Sequence, residues 1–538
     1  MQVFRGLRSF SALAALGVAL AVFPAWSPTP AAGAALDRTG REQPVRSPDS
    51  GPALHHDTSP PLRTLAQTPG QVPRPSTTAP RPRRLPHPPL PGRAAPDPVV
   101  QKQQGSRSPV QLRRNFEGIS QGGTHPPDPN ASVGSSQIMQ VTNVELAIYS
   151  KSGGTLLGPI PTNTLWEGFG GPCETGFNVD PVVRWDTLAR RWVFTQFSDE
   201  ARRLCVAVST TSDATGSYHR YAFGYQYDPD YEKVAVWPDA YYVTINPVGL
   251  DMKEACAWDR SRMLRGQDAD QQCYYLPVNP IPLASDLDGT NPPRFGEPNT
   301  LVTLGDDNRS LDYFRFHVDW RNQAATSVTG PRRLGVAPFT RACERTNVFG
   351  DKCVPQAGTT QKLDSLSLYP MYRLAYRNIG GRESLVFNHS VDARGAVGVR
   401  WYELRLRNGR PVVEQQSTYA PDPTYRWMGS IAQNRVGDIA LGYSQSSSQD
   451  HPSIRVTGRL ADDRPGRMTF RETTVWTGSA SQTEDSRWGD YTSMAIDPSD
   501  DCTFWYTNQY QPSEGADEWH TRIASFRLSD CRDHQHRS

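Results

Sequence analysis

From Arg114 to Cys531 the apolar residues come in short runs separated by turn residues. In MYRLAYR, Tyr372, Leu374 and Tyr376 fall on one face of an extended chain. In YYVTIN, Tyr241, Val243 and Ile245 do the same. The intervening stretches carry turn chemistry: Asn-Arg-Val-Gly ending at Gly437, Asp-Pro-Ser-Asp ending at Asp500, and Ser-Gly-Gly ending at Gly154. No long stretch has a helical period. The pattern predicts an all-β chain.

The runs also repeat. RWGDYTSMAIDPSDDCTFWYTNQY begins at Arg487, RWMGSIAQNRVGDIALGYSQSS at Arg426 and LYPMYRLAYRNIGGRESLVFNHS at Leu368. VWPDAYYVTINPVGLDMKEACAW begins at Val236, NVDPVVRWDTLARRWVFTQFS at Asn178 and PPDPNASVGSSQIMQVTNVELAIYS at Pro126. A strand–turn–strand unit recurring every ~50–70 residues marks a β-propeller. Units start near Asp128, Asp180, Asp239, Asp288, Asp364, Trp427 and Asp490. They predict a seven-bladed β-propeller of four-stranded antiparallel blades. The fourth unit is the least regular: NTLVTLGD, then LDYFRFHVDW, then an outer strand near Ala325. The last supplies only three strands, and RRNFEGIS, residues 113–120, is expected to add the fourth. That would join the two ends of the chain and leave no free sheet edge.

Composition changes the picture at the N-terminus. Arg5 and Arg8, the apolar residues 11–23 and Ala32-Gly33-Ala34 read as a cleaved signal peptide over 1–34, with an uncleaved anchor as the alternative. Residues 35–112 are rich in Pro, Arg and Ser and lack either period, so they read as a disordered linker. The propeller is placed at 113–532 and a disordered tail at 533–538. Residues 37–114 hold 13 basic and 5 acidic residues. With Arg5 and Arg8 also set aside, 42 basic and 50 acidic residues remain, about −8, which argues against a nucleic-acid partner. The linker's charge either attaches it to an anionic envelope polymer or is simply solvated. No later apolar stretch reaches spanning length, so no membrane span is expected after signal cleavage. The expected state is a monomer.

The eight cysteines fall in sequence-near couples: Cys173 with Cys205, Cys256 with Cys273, Cys343 with Cys353, and Cys502 with Cys531. Pairing each couple as a disulfide is the simplest of the many connectivities, and each bridge would stabilise by ~2–3 kcal/mol. A metal reading needs closely spaced ligand pairs, and the chain has no CxxC.

PPDPNASVGSSQIMQVTN, GPCETGFNVDPVVRWDTLARRWVFTQF, KLDSLSLYPMYRLAYRN and RWGDYTSMAIDPSDDCTFWYTNQY resemble, in motif order, a group of secreted bacterial propellers of sialidase-like fold. The resemblance covers nearly all of 114–531. It implies fold and export, hence a secreted or extracytoplasmic bacterial protein. Two sialidase marks depart from the pattern. The Asp box has one near-match, residues 212–218 (SDATGSY), and the Arg-Ile-Pro motif is absent.

In such a fold the residues just before the inner strands converge on one mouth of a channel. These are Asp128, Asp180, Asp239, Asp490 and Tyr491, with Asp286 and Asp288 in the fourth unit. Three readings stand for the carboxylates. Asp128, Asp239 and Asp490, with Tyr491 beside the last, are candidates for catalysis by a glycosidase-like acid and nucleophile. Asp286 and Asp288 are candidates for a Ca²⁺ site, the one cofactor the sequence allows. Otherwise each caps a turn. Arg426-Trp427 and Arg487-Trp488, with Asp180, are candidates for ligand binding: Trp stacks on a sugar and Arg grips a carboxylate. The alternative is Trp packed between blades and Arg paired with a neighbouring Asp. GxSxG, HExxH, P-loop and GxGxxG motifs are absent. The expected function is binding of an extracellular glycan or protein at the channel mouth. The alternative is a sialidase-superfamily glycoside hydrolase or lyase.

Overall fold

A computed structural model of the chain describes residues 41–68, 96–120, 124–198, 201–343, 352–515 and 518–531. The expected signal peptide, the whole expected tail and residues 35–40 and 69–95 of the expected linker lie outside the described residues. The protein is all-β. Among the described residues the α-helices are single turns, Leu62–Leu65, Gly171–Thr175 and Arg260–Met263. No helix among the described residues is long and apolar enough to cross a membrane.

Strands follow one another in antiparallel meanders. The first runs through Asn130–Val133, Gln137–Thr142, Glu145–Ser150 and Thr155–Pro161. The second runs through Asn178–Asp186, Arg191–Ser198, Arg203–Ser209 and Tyr218–Gly224. The third is Lys233–Val236, Tyr241–Ile245, Lys253–Trp258 and Asp270–Leu276. The fourth is Leu283–Leu287, Asn299–Leu304, Ser310–His317 and Ser327–Gly335. The fifth is Met371–Ile379, Arg382–Ala393, Ala396–Arg407 and Arg410–Tyr419. It joins the fourth through parallel pairing of Leu283–Leu287 with Met371–Ile379. The sixth is Tyr425–Gln433, Ile439–Ser446, Ser453–Arg459 and Thr473–Trp476. The last is Ser493–Ile496, Phe504–Tyr510 and His520–Phe526, completed by Leu112–Ser120 from the other end of the chain.

Two units begin earlier than the repeat predicts. Asp239 lies in the turn after the first strand Lys233–Val236, and Asp288 follows the first strand Leu283–Leu287. The third unit's first strand is only four residues long and opens on a lysine.

The first strands of successive meanders lie side by side, and Ser493–Ile496 lies beside Asn130–Val133. Polar side chains supply much of the hydrogen bonding between them. Asn130 Oδ1 accepts from Val183 N–H at 3.0 Å, Ser132 Oγ from Trp185 N–H at 3.0 Å and Ser430 Oγ from Met494 N–H at 2.9 Å. Ser493 Oγ donates to Ala131 O at 2.6 Å. These bonds satisfy backbone groups that would otherwise be buried unpaired. Apolar clusters fill the spaces between sheets. Met139, Val141 and Ile148 of the first meet Val183, Trp185 and Phe194 of the second. Ile138 and Tyr149 on the other face meet Trp505 and Ile523 of the last. Most strands are therefore buried on both faces. The seven residues from Met371 to Arg377 are all buried, with no exposed face.

All four expected cysteine couples are bonded, and no cysteine is free. Such a set belongs to a protein that matures in an oxidising, extracytoplasmic compartment.

The expectation of a disordered linker fails at both of its ends. His55–Thr58 adds a strand to the edge of the second sheet, while Val45–Arg46 and Gly51–Pro52 pair with the outer strand of the third. Val100–Gln101 adds to the fifth, and Arg107 bridges to Phe470 beside the sixth. Leu62 is fully buried in the cluster shared by the first two sheets. These additions are two to four residues long and are held by the free backbone edge of an existing strand. They need no apolar alternation and tolerate edge proline, so the composition gave no sign of them. Asp57 fixes this segment by a two-pronged pair with Arg220, whose side chain is almost wholly buried and also donates to Leu165 O and Glu167 O. Asp57→Ala is expected to cost about 2 kcal/mol in chemical denaturation. An unchanged midpoint would restore the view of residues 41–68 as a free spacer.

Candidate functional site

At the N-terminal ends of the first strands a chain of polar contacts links three of the expected residues. Asp128 and Asp180 both adopt left-handed backbone, at φ 49° and 52°, which Asp tolerates better than most residues. This turn geometry aims Asp128 at its neighbours: Oδ1 accepts from Asp490 N–H at 2.6 Å and Oδ2 from Asn143 Nδ2 at 2.7 Å. Asn143 Oδ1 in turn accepts from Asp180 N–H at 2.8 Å. Asp490 Oδ2 pairs with Arg487 Nη2 at 2.7 Å. The Tyr491 hydroxyl donates to Glu232 O at 3.0 Å and lies 3.5 Å from Asp180 Oδ2. Lys233 Nζ is held between the rings of Tyr231 and Tyr491, 3.0 and 3.6 Å from their centres.

This end of the assembly is rich in acid. Burial, then Asp490 and Asp180, pushes the Asp128 carboxyl well above its usual range. Burial, then Asp230 and Asp490, raises Asp180 to about 7, and burial raises Asp364 to about 6. Burial also raises Asp230, and drives Glu232 well up with help from Asp180. Against these stand Lys233, which burial lowers to about 7, and Arg487, which Asp490 above all holds protonated. Glu232 leaves both carboxylate oxygens buried without a hydrogen-bond donor, as Asp490 does its Oδ1. Sequence reasoning missed Asp230, Glu232 and Lys233 because it placed the start of the third unit after them.

The other expected residues are placed differently. Trp427 and Trp488 are buried and pack against each other, ring centres 5.8 Å apart. Arg426 is fully buried between Asp422 and Glu472. None of the three can meet a sugar without unfolding, so the two Arg-Trp pairs form no stacking platform. Asp239 sits at the other end of its strand, where Tyr242 donates to it at 3.3 Å and burial raises it to about 6. Asp286 and Asp288 do not form a cation cage. Arg184 Nε lies 2.8 Å and Arg373 Nη1 3.3 Å from Asp286 Oδ2, and Arg373 Nη2 pairs with Asp288. Two guanidiniums already balance the two carboxylates, and Asp286 Oδ1 accepts from Val236 N–H. Among the described residues the single trio of ligand-type atoms within reach of one ion is Glu254, Cys256 and Cys273, and its cysteines are joined as a disulfide.

Open space lies at the C-terminal ends of the first strands. There the hairpins of the fifth and sixth meanders, the loop after Leu287 and Asp501 of the last surround a cavity of about 720 Å³. Its walls are polar and include Asn291, Arg377, Arg382, Glu403, Arg405, Gln415, Arg435 and Arg459. Arg377 is locked to Asp501 by two contacts of 2.8 Å. In the sequence these hairpins read only as turns. The signal available was the cluster of arginines in RNIGGR and NRVG, at the same place in consecutive units.

The buried acids predict a pH signature. Asp180 is protonated in the folded chain and ionised in the unfolded chain between its ordinary value near 3.8 and about 7, so it lowers stability as pH rises through that window. Asp180→Asn removes this loss. Its stability relative to the parent is expected to improve by roughly 2–4 kcal/mol between pH 4 and pH 8 in urea titrations. A difference that stays flat across that range would mean that Asp180 is not held protonated.

No family profile matches the chain, and no curated protein does. Solved structures give distant likenesses. A subtype N10 neuraminidase-like protein of A/little yellow-shouldered bat/Guatemala is 8% identical, over 65% of this chain and 99% of its own, at a TM-score of 0.32. The WD40 domain of SCAP from fission yeast is 8% identical, over 81% and 98%, at 0.33. The exo-beta-1,3-galactanase from Phanerochaete chrysosporium is 12% identical, over 77% and 96%, at 0.30. Superpositions this loose carry neither fold nor activity to this chain.

Proposed function

We propose that the protein is an exported, extracytoplasmic seven-bladed β-propeller that binds a glycan in the cavity at the C-terminal ends of its inner strands. Three observations support the propeller: the succession of four-stranded meanders, the side-by-side order of their first strands, and the return of Leu112–Ser120 to the last sheet. The disulfides and the signal-like first residues support export. One observation carries the binding role, a concave polar space of about 720 Å³ walled by several hairpins. Its volume suits a small saccharide better than a protein surface, which needs a broad, flatter patch.

Binding is favoured over hydrolysis by the state of the candidate carboxylates. A glycosidase needs two carboxyl groups facing the sugar, ~5–5.5 Å apart for retention or ~6.5–9.5 Å for inversion. Asp128 spends both oxygens on Asn143 and a backbone amide, and Asp490 spends one on Arg487. Tyr491 is fully buried with its hydroxyl donated to a carbonyl. All three are used as structure.

Incubating the full chain with a glycan array and with a chromogenic glycosidase panel tests this. Binding without turnover is expected. Thr290→Trp, at an exposed wall position, should weaken binding at least tenfold, equivalent to about 1.4 kcal/mol, while Asp490→Asn leaves it unchanged. Turnover abolished by Asp490→Asn would reverse the assignment.

A further inference from the structure

The cations of the cavity are not balanced where they stand. Arg377 gives Nη1 and Nη2 to Asp501, and its Nε is buried with no acceptor. Arg405 shares Glu403 through Nη2 at 2.8 Å, but its Nη1 is buried with no acceptor. Arg459 is 2% exposed. Its Nη2 donates to the Asp463 carbonyl, and its Nε is buried with no acceptor. Among the described residues Arg459 makes no ion pair. Glu403 cannot turn to it, because Gln415, Gln433 and Arg405 already occupy its oxygens. A buried guanidinium with only a carbonyl for company is costly, and burial outweighs the surrounding acids in lowering its pKa. Arg382 adds a third cation from the exposed hairpin edge. Of the five acids on the walls, Asp288 is held by Arg373, Asp501 by Arg377 and Glu403 by Arg405, and Glu414 lies 4.0 Å from Arg407; Asp462 is the fifth. The loop that supplies Asp288 and Asn291 to the wall also carries Phe295, fully exposed to solvent with no packing role.

We propose that the cavity recognises an acidic saccharide. Arg405 and Arg459 bind its carboxylate or sulfate group by turning their buried, unsatisfied N–H donors toward it, and Phe295 offers a face for the sugar ring. Guanidinium and oxoanion match in charge and in planar donor spacing, and an aromatic face suits the apolar side of a pyranose. This rests on the glycan-binding reading above and narrows it to one ligand class.

Calorimetry on the full chain distinguishes the two. The probes are a sulfated disaccharide, a trigalacturonate, neutral maltotriose and inorganic sulfate. At least one acidic saccharide should bind ten times or more tightly than maltotriose, and its affinity should fall as NaCl rises. Arg405→Gln and Arg382→Ala should each weaken that binding several-fold, and Arg382→Ala, at an exposed position, should do so with the melting temperature unchanged. Arg459→Gln should abolish it if the variant folds. Equal binding of neutral and acidic sugars, or indifference to salt and to Arg405→Gln, would overturn the anion assignment while leaving glycan binding intact. Response to inorganic sulfate alone would overturn the saccharide assignment. Silence from every saccharide would overturn both readings.

Discussion

Gln140 stands where the two ends of the chain meet. Its Oε1 accepts from Ile119 N–H at 2.8 Å, and its Nε2 donates to Thr507 at 2.7 Å and Thr521 at 2.9 Å. One fully buried side chain of the first sheet thus holds three strands of the last, including the one that arrives from the far end of the sequence. The approach is so close that a Cβ at Gly118 would lie 2.4 Å from Gln140 and 2.5 Å from Thr521. No residue larger than glycine fits without moving the joint. The rest of the architecture depends on this meeting. A sheet left with three strands would present an unpaired edge, and the cluster of Ile119, Ile138, Trp505 and Ile523 would open to water. Pairing over so long a separation is entropically costly to initiate, and the Cys502–Cys531 bond eases it by fixing the end of the last sheet.

Within the assembly the first strands bury charge in two different ways. Arg184, Arg373, Asp286 and Asp288 form a compensated set, and each carboxylate faces a guanidinium. The acids at the N-terminal ends outnumber their cations, and the excess is met by protonation, as the raised Asp128, Asp180 and Glu232 show. Neutral carboxyls can donate as well as accept, which fits a packed polar plug better than ionised ones. Tyr231, Tyr372 and Tyr491 pack edge-on around the Lys233 ammonium and exclude water from the same space. That end is a core made of polar groups.

The repeat made the strands and their order legible because each unit pairs locally and its turns carry Asp, Asn and Gly. It also gave the closing strand, since a three-stranded last unit needs a partner. Two things were not legible. Strand additions such as His55–Thr58 are recognised by another strand's edge and carry no pattern of their own. Burial on both faces removed the polar alternation that separates inward from outward residues, so Trp427 and Trp488 looked available when they were packing. Asp239 was misplaced for a related reason. The strand that precedes it is only four residues long and opens on Lys233 beside Glu232.

These errors share a direction, and they explain why the sequence pointed to the N-terminal ends of the first strands. Acidic residues before strands are conspicuous in a linear reading, and their convergence resembles a catalytic mouth. Convergence within a packed interior has a different consequence: Asp128 accepts from the Asp490 amide and Asp490 pairs with Arg487. Availability arises where hairpins splay apart faster than side chains can fill the gap. At the C-terminal ends of the first strands the neighbours are long guanidiniums. Of these, Arg377 finds a carboxylate, whereas Arg459 finds only a carbonyl. Unsatisfied groups occur at both ends, but those of Glu232 and Asp490 lie in a packed interior, whereas those of Arg405 and Arg459 belong to side chains on the wall of a cavity.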